Sequence, residues 1–400
     1  MSKQIQDAYI VAATRTPVAK RKGAFRNVRP DDMLAHVLRG VTAKVPGLDL
    51  AEIGDVIVGC AMPEAEQGMN VARIGLLLAG FPNTVPGITI NRFCSSGLNA
   101  VADAAAKIQL GEADVMIGAG TESMTVMPQM MGNKVAMNPA FFSKHENISI
   151  AYGMGLTAEK VALQYGISRD DQDAFAMASH QKACAATADG RFGDEISPYP
   201  VSEHLPDFKT SKVGVVERLV AHDEGPRPDS SLEGLAKLRP VFAANGSVTA
   251  GNSSQMSDGA GAVLLMSEAA LKRYQLTPIA RYRGFSVAGV PPEVMGIGPV
   301  VAIPKLLRAA GVAQDEVDWI ELNEAFAAQA LAVMRTLDLD PALVNPQGGA
   351  IALGHPLGAT GAIRVATLMS AMQRDSRMRY GMVSMCIGTG MGAAGLFERM

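Results

Sequence analysis

The segment Asn91-Arg92-Phe93-Cys94-Ser95-Ser96-Gly97-Leu98 places a thiol at the junction of a predicted strand and a predicted helix. The strand is the short β-branched run at 88–90. The helix is predicted by apolar residues that recur at helical spacing from 98 to the glycine at 111. The other predicted elements can be placed relative to this thiol.

A cysteine at this junction has two interpretations. Backbone N–H groups at a helix start favour negative charge, so with the capping hydroxyls of Ser95 and Ser96 the segment predicts a thiolate nucleophile at Cys94. The alternative is a buried structural cysteine, which is the commoner role of a lone free cysteine. Three further segments of the sequence favour the nucleophile.

Composition indicates an ordinary globular protein of two or three domains. The chain has 400 residues, 48% apolar and 19% charged, with a formal net charge of −3. Because its longest basic run is Lys20-Arg21-Lys22, neither nucleic acid nor an anionic membrane is expected as a partner. No targeting or spanning segment is evident, so a cytoplasmic location is expected. The cysteines are too sparse for a disulfide framework and lack zinc-site spacing: Cys60, Cys94, Cys184 and Cys386.

Strands and helices alternate in two similar blocks at the two ends of the chain. The first block gives strands at 8–13, 55–59, 88–90, 113–118 and 259–266, with helices at 30–44, 70–79 and 98–111. The second gives strands at 278–285 and 317–322, helices at 300–310, from 324 and after 355, and two terminal strands. This alternation predicts an α/β fold with a mostly parallel sheet covered on both faces.

The repeat also predicts where a site lies. An acid followed by a strand at Asp55 has a counterpart at Asp318, and the helix start at Cys94 has one at His355. Two similar βαβ halves that share one core would bring these two helix starts together. The sequence therefore predicts a site between Cys94 and His355.

The regular alternation of strand and helix patterns is lost between residues 122 and 246, which predicts an insertion there. Methionines crowd 124–137, where prolines and a glycine interrupt any helix, so both core packing and an adaptable apolar surface stay open. Ser168 and Asp171 form a capping box for a helix to 188. The polar stretch at 202–229 predicts a solvated loop.

Three segments carry the remaining chemistry. Glycines surround His355 between 345 and 361 and allow close backbone approach to a ligand. A second thiol, Cys386, ends a strand before Gly388-Thr389-Gly390, where too little chain remains for the rest of a dinucleotide site. At a third strand end, Asn323 could hold a water or an oxyanion, cap the next helix, or do both.

The sequence resembles the thiolase family over nearly its whole length. The resemblance rests on 91–97, on Asn323-Glu324-Ala325-Phe326, on Gly354-His355-Pro356-Leu357-Gly358 and on Cys386-Ile387-Gly388-Thr389-Gly390. It implies the thiolase fold: two pseudo-symmetric βαβαβ halves packed in five layers (αβαβα), with an inserted loop domain. The implied N-terminal half is 1–121 and 247–273, the CoA-binding loop domain 122–246, and the C-terminal half 274–400.

The resemblance also implies catalytic roles. By similarity, Cys94 attacks the keto carbon of a 3-ketoacyl-CoA and becomes acylated, while His355 takes its proton. His355 and a water on Asn323 would hold the enolate oxygen, and Cys386 would protonate the enolate carbon and later deprotonate incoming CoA. Backbone N–H groups of Cys94 and Gly388 would stabilise the tetrahedral intermediates.

Candidate contacts for coenzyme A come from the same resemblance. Ser254 matches a serine near the pantetheine, Arg227 matches a loop-domain arginine near the adenine nucleotide, and two residues match apolar contacts: Phe326 and Met154. Short-chain biosynthetic thiolases carry a histidine where this chain has Gly153. In this respect the chain looks more like the degradative 3-ketoacyl-CoA thiolases.

The implied activity is acetyl-CoA C-acyltransferase, the reversible thiolytic cleavage of 3-ketoacyl-CoA in fatty acid β-oxidation. CoA is then a substrate, no cofactor or metal is expected, and the chain forms a homodimer or homotetramer, with a hydratase/dehydrogenase partner subunit left open. Three alternatives are an acetoacetyl-CoA-specific enzyme working in the condensation direction, a decarboxylating ketosynthase, and a catalytically silent acyl- or sterol-binding relative. Cys386 in place of a second histidine argues against the ketosynthase, and retention of both thiols argues against the silent relative.

Overall fold

Strands and α-helices account for most of the part of the chain described by a computed structural model, residues 5–126 and 138–400. The strands are β1 (Ala8–Arg15), β2 (Ala19–Lys20), β3 (Ile53–Gly59), β4 (Gly87–Ile90), β5 (Val115–Ser123), β6 (Tyr199–Asp207), β7 (Lys212–Val220), β8 (Ser257–Ser267), β9 (Ala280–Gly289), β10 (Val317–Leu322), β11 (Tyr380–Ile387) and β12 (Met391–Arg399). The helices are α1 (Pro30–Ala43), α2 (Val71–Leu78), α3 (Ser96–Gln109), α4 (Ala140–Ser143), α5 (Met154–Gln164), α6 (Arg169–Ala188), α7 (Leu232–Ala236), α8 (Glu268–Tyr274), α9 (Gly298–Ala310), α10 (Ala327–Leu337), α11 (Ala350–Leu353) and α12 (Leu357–Arg374).

One ten-stranded sheet contains the predicted repeat. Its order is β10-β11-β12-β9-β1-β8-β5-β3-β4, and β2 pairs with β8. Reading outward from the centre, β1-β8-β5-β3 in one half corresponds to β9-β12-β11-β10 in the other. A parallel bridge from Ile320 to Val344 takes the place of β4 in the second half. The predicted pseudo-symmetry is confirmed, and β10, with Asp318, occupies the place of β3, with Asp55.

The sheet is mixed, and the prediction of a mostly parallel sheet was wrong. Among the described strands, β3/β4, β3/β5 and β10/β11 are parallel. The last strand of each half is antiparallel to both its neighbours: β8 to β1 and β5, and β12 to β9 and β11. The alternation breaks there because β8 follows the insertion and β12 follows a tight turn, so neither is reached through a crossover helix.

Five layers follow from how the helices cover this sheet. Among the described strands, the two halves of the sheet pair through β1 and β9 alone, with Tyr9 opposite Arg281 and Ile10 opposite Ala280. Helices α3 and α12 share a buried core with strands of both halves, so they form the central layer. Helices α1 and α2 cover the outer face of the N-terminal half, and α9 and α10 cover that of the C-terminal half. The predicted αβαβα architecture is confirmed.

The two central helices touch where each begins. A Cβ on Gly97 would lie 2.7 Å from the carbonyl oxygen of Gly358, and one on Gly361 would overlap the backbone nitrogen of Leu98. Only glycine allows the backbones to approach this closely. The helix starts that follow Cys94 and His355 therefore meet, as the repeat predicts.

The described residues between β5 and β8 contain four α-helices, of which the two longest, α5 and α6, pack on α10, and one exposed hairpin, β6–β7. Helix α6 has the predicted capping box of Ser168 and Asp171. The prediction of a solvated loop at 202–229 was wrong as far as Val220, because β6 and β7 pair as an antiparallel hairpin, whereas residues 221–229 form no helix or strand. The hairpin's side chains are mostly exposed, as with Phe208 at 91%, so no buried face marks the strands in the sequence. Of the crowded methionines, Met124 is buried, and those at 127–137 lie outside the described residues.

No helix in the described part of the chain combines the length and the apolar character needed to cross a bilayer.

Candidate active site

An apolar cavity of about 570 Å³ contains the three predicted reactive side chains. Cys94 comes from the start of α3, His355 from the turn before α12, and Cys386 from the end of β11. Most of the remaining lining is apolar and rich in methionine, and the lining includes Met124, Met154, Met256, Met295, Phe242, Phe326 and Ser254. Long, flexible thioethers give such a surface an adaptable shape.

Cys94 lies in a single 3₁₀ turn, Phe93–Ser95, that leads directly into α3. The Ser96 hydroxyl donates to the carbonyl of Phe93 at 2.7 Å and accepts from the N–H of Arg92 at 2.8 Å. Ser95 makes no side-chain cap, and its buried hydroxyl has no partner among the described residues. The predicted capping role is therefore wrong for Ser95, while Ser96 braces the turn.

The prediction of a thiolate at Cys94 was wrong for the resting protein. Burial raises the pKa of Cys94 to about 11, and the backbone N–H groups of Gly388 and of Cys94 itself offset only part of this rise. The side chain is only 9% exposed. Desolvation by residues distant in sequence therefore outweighs the local helix start, and the thiol needs a proton acceptor before it can attack.

His355 lines the same cavity as Cys94 and is the candidate acceptor. Its Nδ1 lies 2.6 Å from Oγ1 of Thr360, and its Nε2 lies 3.3 Å from Nδ2 of Asn323. With the Asn323 amide in this orientation its nitrogen donates to Nε2, and the neutral ring then carries its proton on Nδ1, toward the Thr360 hydroxyl. Burial, with a smaller contribution from the Arg364 cation, lowers the pKa of His355 to about 3. The ring is neutral at physiological pH, with an unprotonated Nε2.

Asn323 follows β10 directly and does not cap a helix. The predicted helix from 324 begins at Ala327 with Phe326 as its N-cap, so that part of the prediction was wrong. The backbone N–H of Asn323 donates to the carbonyl of Ser384 at 2.8 Å, which ties β10 to β11 beside the cavity. Its buried Oδ1 has no partner among the described residues.

Cys386 and Gly388 lie at the β11–β12 turn, beside the end of the neighbouring strand β10 that carries Asn323. Burial raises the pKa of Cys386, and the nearby charge of a Cys94 thiolate would raise it further. Thr389 and Gly390 have positive φ values of 65° and 86°, which make the turn tight. This turn directs the N–H of Gly388 toward the Cys94 sulfur.

Glu324 holds the glycine-rich segment that leads to His355. Its Oε1 accepts from Nδ2 of Asn345 at 2.9 Å. Its Oε2 accepts from the hydroxyl of Ser179 at 2.7 Å and from the N–H of Ile351 at 3.2 Å. This role of Glu324 could not be predicted from the sequence, because its partners are far away along the chain.

Glu122 joins the two halves from beneath the His355 helix. This buried carboxylate accepts from the N–H of Ala61 at 2.7 Å and from the N–H of Gly358 at 2.9 Å. An acid at the end of an otherwise apolar strand was the available signal, since an unpaired buried carboxylate is costly.

A second cavity, of about 370 Å³, adjoins the first and has a mixed lining that is more polar than that of the first, so it is called the polar cavity below. Both are lined by Ala250 and Gln255, so the two spaces are neighbours. The second contains Lys20, Arg227 and His180. The ring of His180 accepts from the N–H of Arg227 at 3.2 Å, and burial lowers the pKa of His180 to about 4.

The nine predicted site residues divide between these spaces. Eight surround the apolar cavity: Cys94, His355, Cys386, Met154, Ser254 and Phe326 in its lining, with Asn323 and Gly388 bonded to or directed at its reactive groups. Arg227 lies in the polar cavity. Thr360, Glu122, Glu324 and Lys20 were not predicted.

Comparisons with known proteins match nearly the whole chain. The family description "Thiolase, N-terminal domain" matches residues 8–269, and "Thiolase, C-terminal domain" matches 276–399. The 3-ketoacyl-CoA thiolase of Bacillus subtilis (strain 168) is 49% identical over 401 residues, which covers 98% of this chain and 100% of that protein. The peroxisomal 3-ketoacyl-CoA thiolase 2 of Arabidopsis thaliana is 49% identical over 397 residues, covering 98% and 84%.

Two solved structures share the fold along its full length. The acetyl-CoA acetyltransferase of Bacillus anthracis superposes with a TM-score of 0.89 at 38% identity, covering 100% of both chains. The dimeric peroxisomal thiolase of Saccharomyces cerevisiae superposes with a TM-score of 0.89 at 42% identity, covering 100% of this chain and 99% of that one.

Proposed function

We propose that this chain, which belongs to the thiolase family, is an acetyl-CoA C-acyltransferase of fatty acid β-oxidation. It would cleave 3-ketoacyl-CoA with CoA to acetyl-CoA and a shortened acyl-CoA. One observation carries the proposal: Cys94, His355 and Cys386 line a single apolar cavity. Relatives named 3-ketoacyl-CoA thiolase, similar over nearly the full chain, support this activity over an acetoacetyl-CoA-specific enzyme.

In the first half-reaction the neutral pair of Cys94 and His355 acts together. Nε2 of His355 takes the thiol proton as the sulfur attacks the keto carbon, so no free thiolate has to form in the buried cavity. The N–H groups of Cys94 and Gly388 hold the oxyanion of the tetrahedral intermediate. When the carbon–carbon bond breaks, its electron pair forms the enolate of acetyl-CoA and leaves an acyl group on Cys94.

The enolate is then protonated. His355, now an imidazolium, and a group held by Asn323 stabilise the enolate oxygen, while the Cys386 thiol gives its proton to the enolate carbon. In the second half-reaction the Cys386 thiolate takes the proton of incoming CoA. The CoA sulfur attacks the thioester, and Cys94 leaves and recovers its proton from His355.

The two neighbouring cavities suit the two ends of coenzyme A, a substrate that departs after each turnover. The pantetheine would pass Ser254, Met154 and Phe326 in the apolar cavity, and the nucleotide would lie with Arg227 in the polar one. We assign the polar cavity mainly to a loop domain at 122–246, inserted between an N-terminal half (1–121 and 247–273) and a C-terminal half (274–400).

A homo-oligomer is part of the proposal. Within the described residues, the edge strand β4 has no strand partner on its outer side, and the adjacent surface exposes Met69, Ile88 and Phe93. Such an edge is usually covered by another chain or element. We propose that a second copy covers it, in a homodimer or homotetramer, that the protein is cytoplasmic, and that a hydratase/dehydrogenase subunit is a candidate partner.

Intact-protein mass spectrometry tests the function. The protein is mixed with a medium-chain 3-ketoacyl-CoA without free CoA, and separately with acetoacetyl-CoA. We expect an acyl adduct on Cys94 from both substrates, discharged by added CoA and absent in Cys94→Ala. An adduct from acetoacetyl-CoA alone would move the function to the acetoacetyl-CoA-specific alternative, and no adduct from either would overturn the proposal.

A further inference from the structure

The longest basic run of the sequence, Lys20-Arg21-Lys22, lies at the boundary between the two cavities. The N–H of Arg21 donates to the carbonyl of Met256 at 2.9 Å, and Met256 lines the apolar cavity. Lys20 lines the polar cavity together with Arg227. The run therefore extends from the opening of the cavity that holds Cys94 to the neighbouring polar space.

The backbone of this run is held in place. Oε2 of Glu224 accepts from the N–H of Lys20 at 3.0 Å and from the N–H of Ala24 at 2.9 Å. The N–H of Lys22 donates to Oγ1 of Thr125 at 2.8 Å, and Lys22 has a positive φ of 61°. A Cβ on Gly23 would collide with the Glu224 carboxylate. The three cations are thus presented by a fixed turn, which lowers the ordering cost of binding.

These cations lack carboxylate partners within the described residues. The guanidinium of Arg21 contacts the Met256 sulfur at 3.9 Å, and its buried Nε has no hydrogen-bond partner in the part of the chain that the structure describes. Arg227 has only a long ion pair, 3.6 Å, with Asp229. Even with Glu224 and Asp229 counted, the boundary carries an excess of positive charge in a chain whose net charge is −3. Such a local excess favours an anionic ligand.

We propose that the 20–22 turn recognises the phosphate groups of the coenzyme A thioester and makes the enzyme select CoA esters over shorter pantetheine thioesters. This inference rests on the proposed function. With its acyl carbon at Cys94 and its nucleotide beside Arg227, a CoA thioester passes the turn, and phosphate is the one strongly anionic group along it. Lys20 and Arg21 supply charge-assisted hydrogen bonds to these oxygens.

Kinetics with matched thioesters test the selectivity. The same 3-ketoacyl group is supplied on CoA, dephospho-CoA and pantetheine, at low and high ionic strength, to the wild type, Lys20→Gln, Arg21→Gln and the double variant. We expect the ratio of kcat/KM for the CoA ester to that for the pantetheine ester to fall about twofold to fivefold per cation removed. The salt dependence of this ratio should weaken in parallel, because exposed charge pairs are screened. The control, Lys272→Gln, removes a surface cation paired with Glu268 and should leave the ratio unchanged.

The comparison of the three thioesters identifies which phosphate is contacted, and it distinguishes failure of this inference from failure of the proposed function. Dephospho-CoA behaving like pantetheine assigns the contact to the 3′-phosphate, and dephospho-CoA behaving like CoA assigns it to the diphosphate. An unchanged ratio in the double variant overturns the inference, and so does an equal loss with all three thioesters. If no thioester is turned over, the proposed function fails instead. Calorimetric binding of CoA and pantetheine to the same variants then decides the phosphate selectivity by itself.

Discussion

Nδ1 of His355 lies 2.6 Å from Oγ1 of Thr360, and both side chains are almost fully buried. Thr360 lies on α12, the helix that begins just after His355, so the same helix places the ring and fixes its rotation. A hydroxyl orients the ring without adding negative charge, whereas a carboxylate partner would stabilise an imidazolium. The resting base therefore stays neutral, as its neighbour Cys94 does.

Removing the Thr360 hydroxyl should impair the chemical step. In Thr360→Ala the ring loses the partner that keeps its proton on Nδ1, and we expect kcat to fall about tenfold, the value of one buried hydrogen bond. Thr360→Ser keeps the hydroxyl and should retain most of the activity. Steady-state kinetics with a 3-ketoacyl-CoA measures both. Equal losses in the two variants would instead indicate that the methyl group and its packing matter.

The reactivity of Cys94 should keep rising at alkaline pH. Its pKa is raised to about 11, so the thiolate fraction at pH 7 is about one in ten thousand and grows about tenfold per pH unit. Since the pKa of His355 is lowered to about 3, no titration of that ring interrupts the rise. Alkylation by iodoacetamide, mapped to Cys94 by mass spectrometry, measures it from pH 6 to 10. A plateau below pH 8 would mean that a thiolate exists at rest.

Neutralising Glu324 should disturb the segment before His355. In Glu324→Gln one amide N–H₂ must face a donor, either the amide of Asn345 or the donors at Oε2. We expect a loss of about 1–3 kcal/mol in the free energy of unfolding and a lower kcat. Denaturant unfolding and steady-state kinetics measure the two effects. The exposed control Glu268→Gln should change neither, and reduced stability with an unchanged kcat would limit Glu324 to a structural role.

A side chain at position 155 should reshape the substrate cavity. A Cβ on Gly155 would overlap the ring of Phe242, which also packs edge-on against Phe326 at 6.1 Å between centroids. We expect Gly155→Ala to lower kcat/KM for a medium-chain 3-ketoacyl-CoA about tenfold, since overpacking displaces the ring. Adding Phe242→Ala removes the clash and should restore much of the loss. A double variant no better than the single one would show that the helix, and not the ring, moves.

The sequence predicted the architecture better than the electrostatics. The meeting of the Cys94 and His355 helices could be inferred because two blocks share one order of apolar strands and helices. The raised pKa of Cys94 could not be inferred from the sequence, because the residues that desolvate its sulfur come from both halves of the chain. The roles of Glu122 and Glu324 were missed for a related reason. Glu122 is bonded to Gly358, 236 positions away, and no local pattern records such a contact.

Strand β8 lies between β1 and β5 and is antiparallel to both. Its residues, 257–267, follow those of β1 by more than two hundred positions. During synthesis the ribosome must therefore deliver the whole insertion before the N-terminal half of the sheet can close. Until then β1 and β5 present open, apolar edges to other nascent chains. Such late, long-range closure is slow, and it leaves these strand edges exposed to aggregation for as long as the insertion is being synthesised.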